Sequence, residues 1–137
     1  MKKMFKAILV GSFLTVGSVC ADEETPLAEK MDEVSGSLKL LRRAGDDYAL
    51  CLDHIRKAQR ALLECFAYTP LKLEEVPDGK EKAMAVANYR KTLAASYQTL
   101  CDLELAYLSE DLDQIDDARD KVKMSRKSGH QEFIDKD

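Results

Sequence analysis

Four apolar stripes, each spaced for one face of an α-helix, restrict this chain to an all-helical fold. Leu27, Met31, Val34, Leu38 and Leu41 step by 4, 3, 4, 3 behind Pro26, which stands where a first-turn proline is tolerated. Gly45-Asp46-Asp47 ends that helix and caps the next. The second stripe, Tyr48, Leu52, Ile55, Gln59, Leu62 and Phe66, must stop near Tyr68 because Thr69 precedes Pro70. After a loop from Thr69 to about Gly79, the third runs Val86, Tyr89, Leu93, Ser96, Leu100, Leu103 and Tyr107. Ser109 offers the next cap, and a fourth helix from about Glu110 carries Leu112, Ile115, Arg119 and Val122 and reaches Phe133. Short connections place consecutive helices antiparallel, so the expectation is an up-down-up-down antiparallel four-helix bundle.

The N-terminus predicts the compartment. Lys2, Lys3 and Lys6 form a basic region before the uncharged, mostly apolar run from Ala7 to Val19, and Cys20-Ala21 is followed at once by Asp22-Glu23-Glu24. That run is short of the roughly 20 apolar residues of a membrane span and reads as a cleavable signal peptide, residues 1–21. Val19 is not the small residue that a lipid-bearing Cys20 would want before it. Cleavage leaves 116 of the 137 residues, one domain over 22–137, and takes the net charge from −4 to −7 by removing three lysines. A chain this acidic is a poor partner for nucleic acid. The expected location is the periplasm.

Past Val122 the inward side of the fourth helix turns polar while keeping its spacing: Arg126, His130, Phe133. In an up-down bundle the start of the first helix and the end of the fourth share a level, which brings Met31 opposite His130. The 69–79 loop lies at that end too, with Leu71 and Leu73, and Phe66 and Tyr89 flank it. A thioether and an imidazole across an apolar slot are the donors that fill both axial positions of a haem iron. The plainer readings remain open: a methionine at a core position is ordinarily packing, and a histidine near a helix C-terminus is ordinarily solvated. The same donors, with Met124, would suit copper. A haem-free structural or interaction bundle is the alternative of another class.

A family resemblance bears on that choice. Tyr89-Arg90 at the opening of the third helix, Ser125-Arg126-x-x-x-His130-Gln131 ending the fourth, Met31 followed by Leu38-Lys39, and Thr69-Pro70-Leu71-Lys72-Leu73-Glu74 between helices together resemble cytochrome b562. The segment from Tyr89 to Phe133 resembles the second half of that family without a gap. The resemblance implies a periplasmic electron carrier, not an enzyme, that binds one haem b through Met31 and His130. It further implies Arg126 at the haem edge, Tyr89 and Leu93 as pocket walls, a redox partner protein and a monomer. No Cys-x-x-Cys-His occurs, so the haem is expected to be non-covalent. Gly129 stands where the family carries a bulky residue, and a glycine inside a helix costs about 1 kcal/mol against alanine, which predicts a fraying end and a looser haem.

Three cysteines follow the signal. Cys51 and Cys65 are fourteen residues apart on one helix, about 21 Å by rise and beyond a disulfide's reach. With a symmetric connection centred near residue 74, Cys51 faces Tyr97 and lies within a turn of Cys101, so a Cys51–Cys101 bridge and three buried free thiols are both open. The spacing does not suit zinc, with or without His54. No nucleophile–base pair or phosphate-binding glycine loop stands out.

Overall fold

Thr25 sets the first helix: its Oγ1 accepts from the Ala28 N–H at 3.1 Å, and Pro26 occupies the first turn. A computed structural model describes residues 25–133, and the fold is all-helical, with no strand among them. The expected signal peptide, residues 1–21, lies outside the described residues. The helices are α1 (Pro26–Arg43), α2 (Tyr48–Glu64), the single turn α3 (Leu71–Glu74), α4 (Lys80–Ser109) and α5 (Leu112–Phe133). Cys65–Ala67 adds a 3₁₀ turn after α2. None of them is long and apolar enough to cross a membrane.

Local chemistry explains most of the boundaries. Gly45, at φ +59°, turns the chain out of α1, and Asp47 caps α2 by accepting from the Leu50 N–H at 3.0 Å. Between α4 and α5 the cap is not Ser109, the residue the sequence offers. Ser109 closes α4 by donating to the Ala106 carbonyl, while Asp111 caps α5 by accepting from the Asp113 and Gln114 N–H groups at 3.0 and 3.1 Å. Glu110 bridges the two in a left-handed conformation, φ +57°. The expected 69–79 loop contains α3, whose Leu73 is buried.

The buried face of α2 is turned by about one residue from the expected stripe. Its centre is Cys51, Ile55, Ala58, Leu62 and Cys65, all no more than 4% exposed, with Tyr48, Leu52 and Phe66 at the edges. Small side chains at 51, 58 and 65 let α2 sit centrally, packed on α1 and on α4. The α4 stripe is buried at Tyr89, Leu93, Leu100, Leu103 and Tyr107, as its spacing predicts. Leu112 departs from the predicted fourth stripe, standing 67% exposed in the first turn of α5.

Two clusters divide the interior. One joins Leu41, Cys51, Ile55, Leu103, Tyr107, Ile115 and Ala118 at the end where α1 turns into α2 and α4 into α5. The other joins Leu62, Cys65, Leu73, Tyr89, Leu93 and Leu100, with Leu27, Met31, Val34 and Phe133 half-buried against it. Both residues that α5 buries, Ile115 and Ala118, belong to the first cluster. Packing runs α1 on α2, α2 on α4 and α4 on α5, while α1 and α5 form no comparable seam.

All three cysteines described are free, so the Cys51–Cys101 bridge is not formed. The register explains it. Gln59 Nε2 donates to the Leu100 carbonyl and to Glu104 Oε2 and lies 3.9 Å from Cys101 Sγ, so Cys101 is level with Gln59. Gln59 is about 12 Å along α2 from Cys51 by helical rise, twice a disulfide's α-carbon span. The connection is not symmetric: Lys82 binds Asp78 at 3.0 Å and the Glu74 carbonyl at 3.4 Å, holding the loop along the first turns of α4.

Candidate functional site: an apolar cavity between the first and last helices

The α1–α5 side holds a cavity of about 580 Å³, within the roughly 300–1,000 Å³ of small-molecule and cofactor sites. The five residues singled out in the sequence, Met31, His130, Arg126, Tyr89 and Leu93, all line it. α1 supplies Leu27, Met31, Val34 and Leu38, one side of a helix by their 4, 3, 4 spacing. α5 supplies Val122, Arg126, Gly129, His130 and Phe133, and Pro70 and Leu71 reach in from the loop. Leu71 is 59% exposed at this site, whereas Leu73, named with it from the sequence, belongs to the core behind.

Tyr89 forms the far wall. It is buried in the third turn of α4 rather than at its opening, and its ring meets Phe133 edge-on at 5.2 Å. Its hydroxyl is sealed from water with no hydrogen-bond partner, and burial holds its pKa well above the usual phenol value. A buried donor left unmade costs about 1–3 kcal/mol. Other wall hydroxyls have partners: Ser96 and Ser125 bond each other at 2.8 Å across α4 and α5, and Thr92 donates to the Asn88 carbonyl. Nearby, burial pushes the Cys65 thiol up to about 11, which leaves it an inert core residue.

His130 is held below the ordinary histidine pKa, first by desolvation and then by the positive charge of Arg126 one turn earlier. Both favour the neutral imidazole, the form that ligates a metal. Gly129 needs no glycine: its φ is not in the left-handed region, and an added Cβ would meet only Thr92 Cγ2, at 3.8 Å. His54, the other histidine, is buried on α2 away from this cavity, with an unpartnered Nδ1.

Met31 and His130, a thioether and an imidazole, both line the cavity. Among the described residues no three His, Cys, Asp or Glu side chains gather to hold a metal. Met124, the third donor of the copper reading, is 71% exposed and does not line the cavity. Thr92, Ser96 and Thr99 are wall residues that the sequence does not announce, since small polar side chains in a helical stripe carry no ligand signal. No family model, curated protein or solved structure matches this chain.

Proposed function

We propose that this chain is a periplasmic electron carrier resembling cytochrome b562, which binds one non-covalent haem b with Met31 and His130 as axial ligands. The observation that carries the proposal is that a thioether on α1 and a neutral imidazole on α5 line one apolar cavity where those helices leave their seam open. An up-down-up-down antiparallel arrangement underlies it. Four cross-helix pairs support that arrangement: Lys30 with Glu64, Arg56 with Glu104, Ser96 with Ser125 and Tyr89 with Phe133. Lys30 lies in the second turn of α1 and Glu64 at the end of α2, and between the later helices the partners move in opposite directions along the chain: Arg56–Glu104 and Gln59–Cys101 for α2 and α4, Tyr89–Phe133 and Ser96–Ser125 for α4 and α5. Residues 1–21 act, in this reading, as the signal that exports the chain.

Met31 and His130 would hold the haem, which when bound would supply reversible one-electron chemistry. The protein's part is positional. Met31 offers its sulfur from a half-buried helix position, His130 its unprotonated nitrogen, and Arg126 a positive charge at the ring edge. Leu93, Val34 and Leu38 line the cavity and would exclude water from a group bound there, and Phe133 with Tyr89 closes one wall. The Tyr89 hydroxyl gains an acceptor if the incoming group presents one.

Residues 22–137 titrated with haemin test the proposal. The expected result is saturation at one haem per chain with the sharp, split visible bands of a low-spin six-coordinate iron on reduction. No spectral change on mixing would overturn it.

A further inference from the structure

The apolar cavity between α1 and α5 is open to solvent, and Leu71 stands at its rim. Of the large apolar side chains that line it, Leu71 alone is exposed, at 59%; Leu27, Met31, Val34, Leu93 and Phe133 are buried or half-buried. Leucines scattered singly on a surface are ordinary, and Leu105, Leu108 and Leu112 are exposed to a similar degree without lining this cavity. Leu71 differs in bordering a space that an apolar group can enter.

Its backbone is also held on both sides. Pro70 before it and Leu73 after it are buried. The Pro70 carbonyl accepts from the Leu73 and Glu74 N–H groups at 2.9 and 3.3 Å, and the Leu71 carbonyl accepts from the Glu75 N–H at 3.3 Å. Lys82 donates to the Glu74 carbonyl and pairs with Asp78, which ties the end of the turn to α4. α3 is therefore a fixed single turn that presents one large apolar side chain at the cavity rim. With its backbone held, that side chain can still exchange rotamers. Removal of apolar surface from water favours the rotamer that lies over a neighbouring apolar group.

We infer that Leu71 closes the cavity over its ligand: α3 is the fixed mount, and the leucine side chain folds onto the ligand's exposed edge and slows its release. The identity of that ligand as haem rests on the reading above, whereas the closing role needs only an apolar group in the cavity. Leu71 offers no donor to a metal, so it acts on retention and leaves coordination to Met31 and His130.

Release rates of two probes from the purified, haem-free chain after loading test this: haemin, followed by transfer to excess apomyoglobin, and the apolar dye 1-anilinonaphthalene-8-sulfonate, followed by fluorescence on dilution. Leu71→Ala should release both about tenfold faster, with the haem absorption spectrum and the urea midpoint of the unloaded chain unchanged. Leu63→Ala, at a residue 49% exposed that does not line the cavity, should leave both rates as they are. Equal rates in the wild type and Leu71→Ala for both probes would overturn the inference, and would leave the haem reading intact where haemin still gives a six-coordinate spectrum. Binding of neither probe by the wild type would overturn it as well. Failure of haemin alone, with dye release still faster in Leu71→Ala, would overturn the haem reading and support the closing role.

Discussion

At the scale of single residues, one polar group of the cavity wall is left unsatisfied in the protein alone. The Tyr89 hydroxyl is buried without a partner, so Tyr89→Phe should raise the stability of the haem-free chain by about 1 kcal/mol, read from urea unfolding. Gly129→Ala should do the same through helix propensity, about 1 kcal/mol, because the new methyl group meets only ordinary contact with Thr92. His130 carries the pH dependence. Its folded pKa lies below the unfolded value of about 6.5. As pH falls below about 6.5 the unfolded chain takes up a proton that the folded chain resists, so the destabilisation grows until His130 itself titrates; above that pH the contribution vanishes. Haem affinity should accordingly be flat through neutral pH and fall only below the lowered value, as a haemin titration series across pH would report.

At the scale of elements, the sequence was most legible where large apolar residues alone decide the face. The α4 stripe from Val86 to Tyr107 lies where its spacing predicts. The α2 stripe is rotated because Cys51, Ala58 and Cys65, small and easily passed over, occupy the centre, while Tyr48 and Phe66 are large enough to pack from the edge. Leu112 fits the fourth stripe by number but lies in the first turn of its helix, beyond the reach of the core. Cap choice depends on one residue of chain path: with Glu110 in the left-handed region, Asp111 rather than Ser109 faces the open N–H groups. Two outcomes follow for this turn. Asp111→Ala should cost about 1–2 kcal/mol through the lost cap, whereas Glu110→Gly should be neutral or stabilising by up to about 1 kcal/mol, since only the side chain makes that conformation costly. Thermal unfolding of both variants checks the pair.

At the scale of the whole molecule, one end is a packed core and the other keeps an apolar cavity between α1 and α5 beside its own cluster. That division was legible as the point past Val122 where the fourth stripe turns polar, which with the bundle topology led to Met31, His130, Arg126 and Tyr89, whereas Leu93 entered only through the family resemblance. The asymmetry sets the stability pattern. Ile55→Ala, in the packed end, should cost about 2–5 kcal/mol, while Met31→Ala, beside open space, should cost about 1 kcal/mol or less in the haem-free chain.

Met31→Ala and His130→Ala, compared with the wild type by absorption spectroscopy at equal haem loading after reduction, test the axial pair most directly. The axial assignment predicts a six-coordinate low-spin spectrum for the wild type and five-coordinate, high-spin spectra for each variant. A wild-type spectrum that neither substitution alters would contradict it.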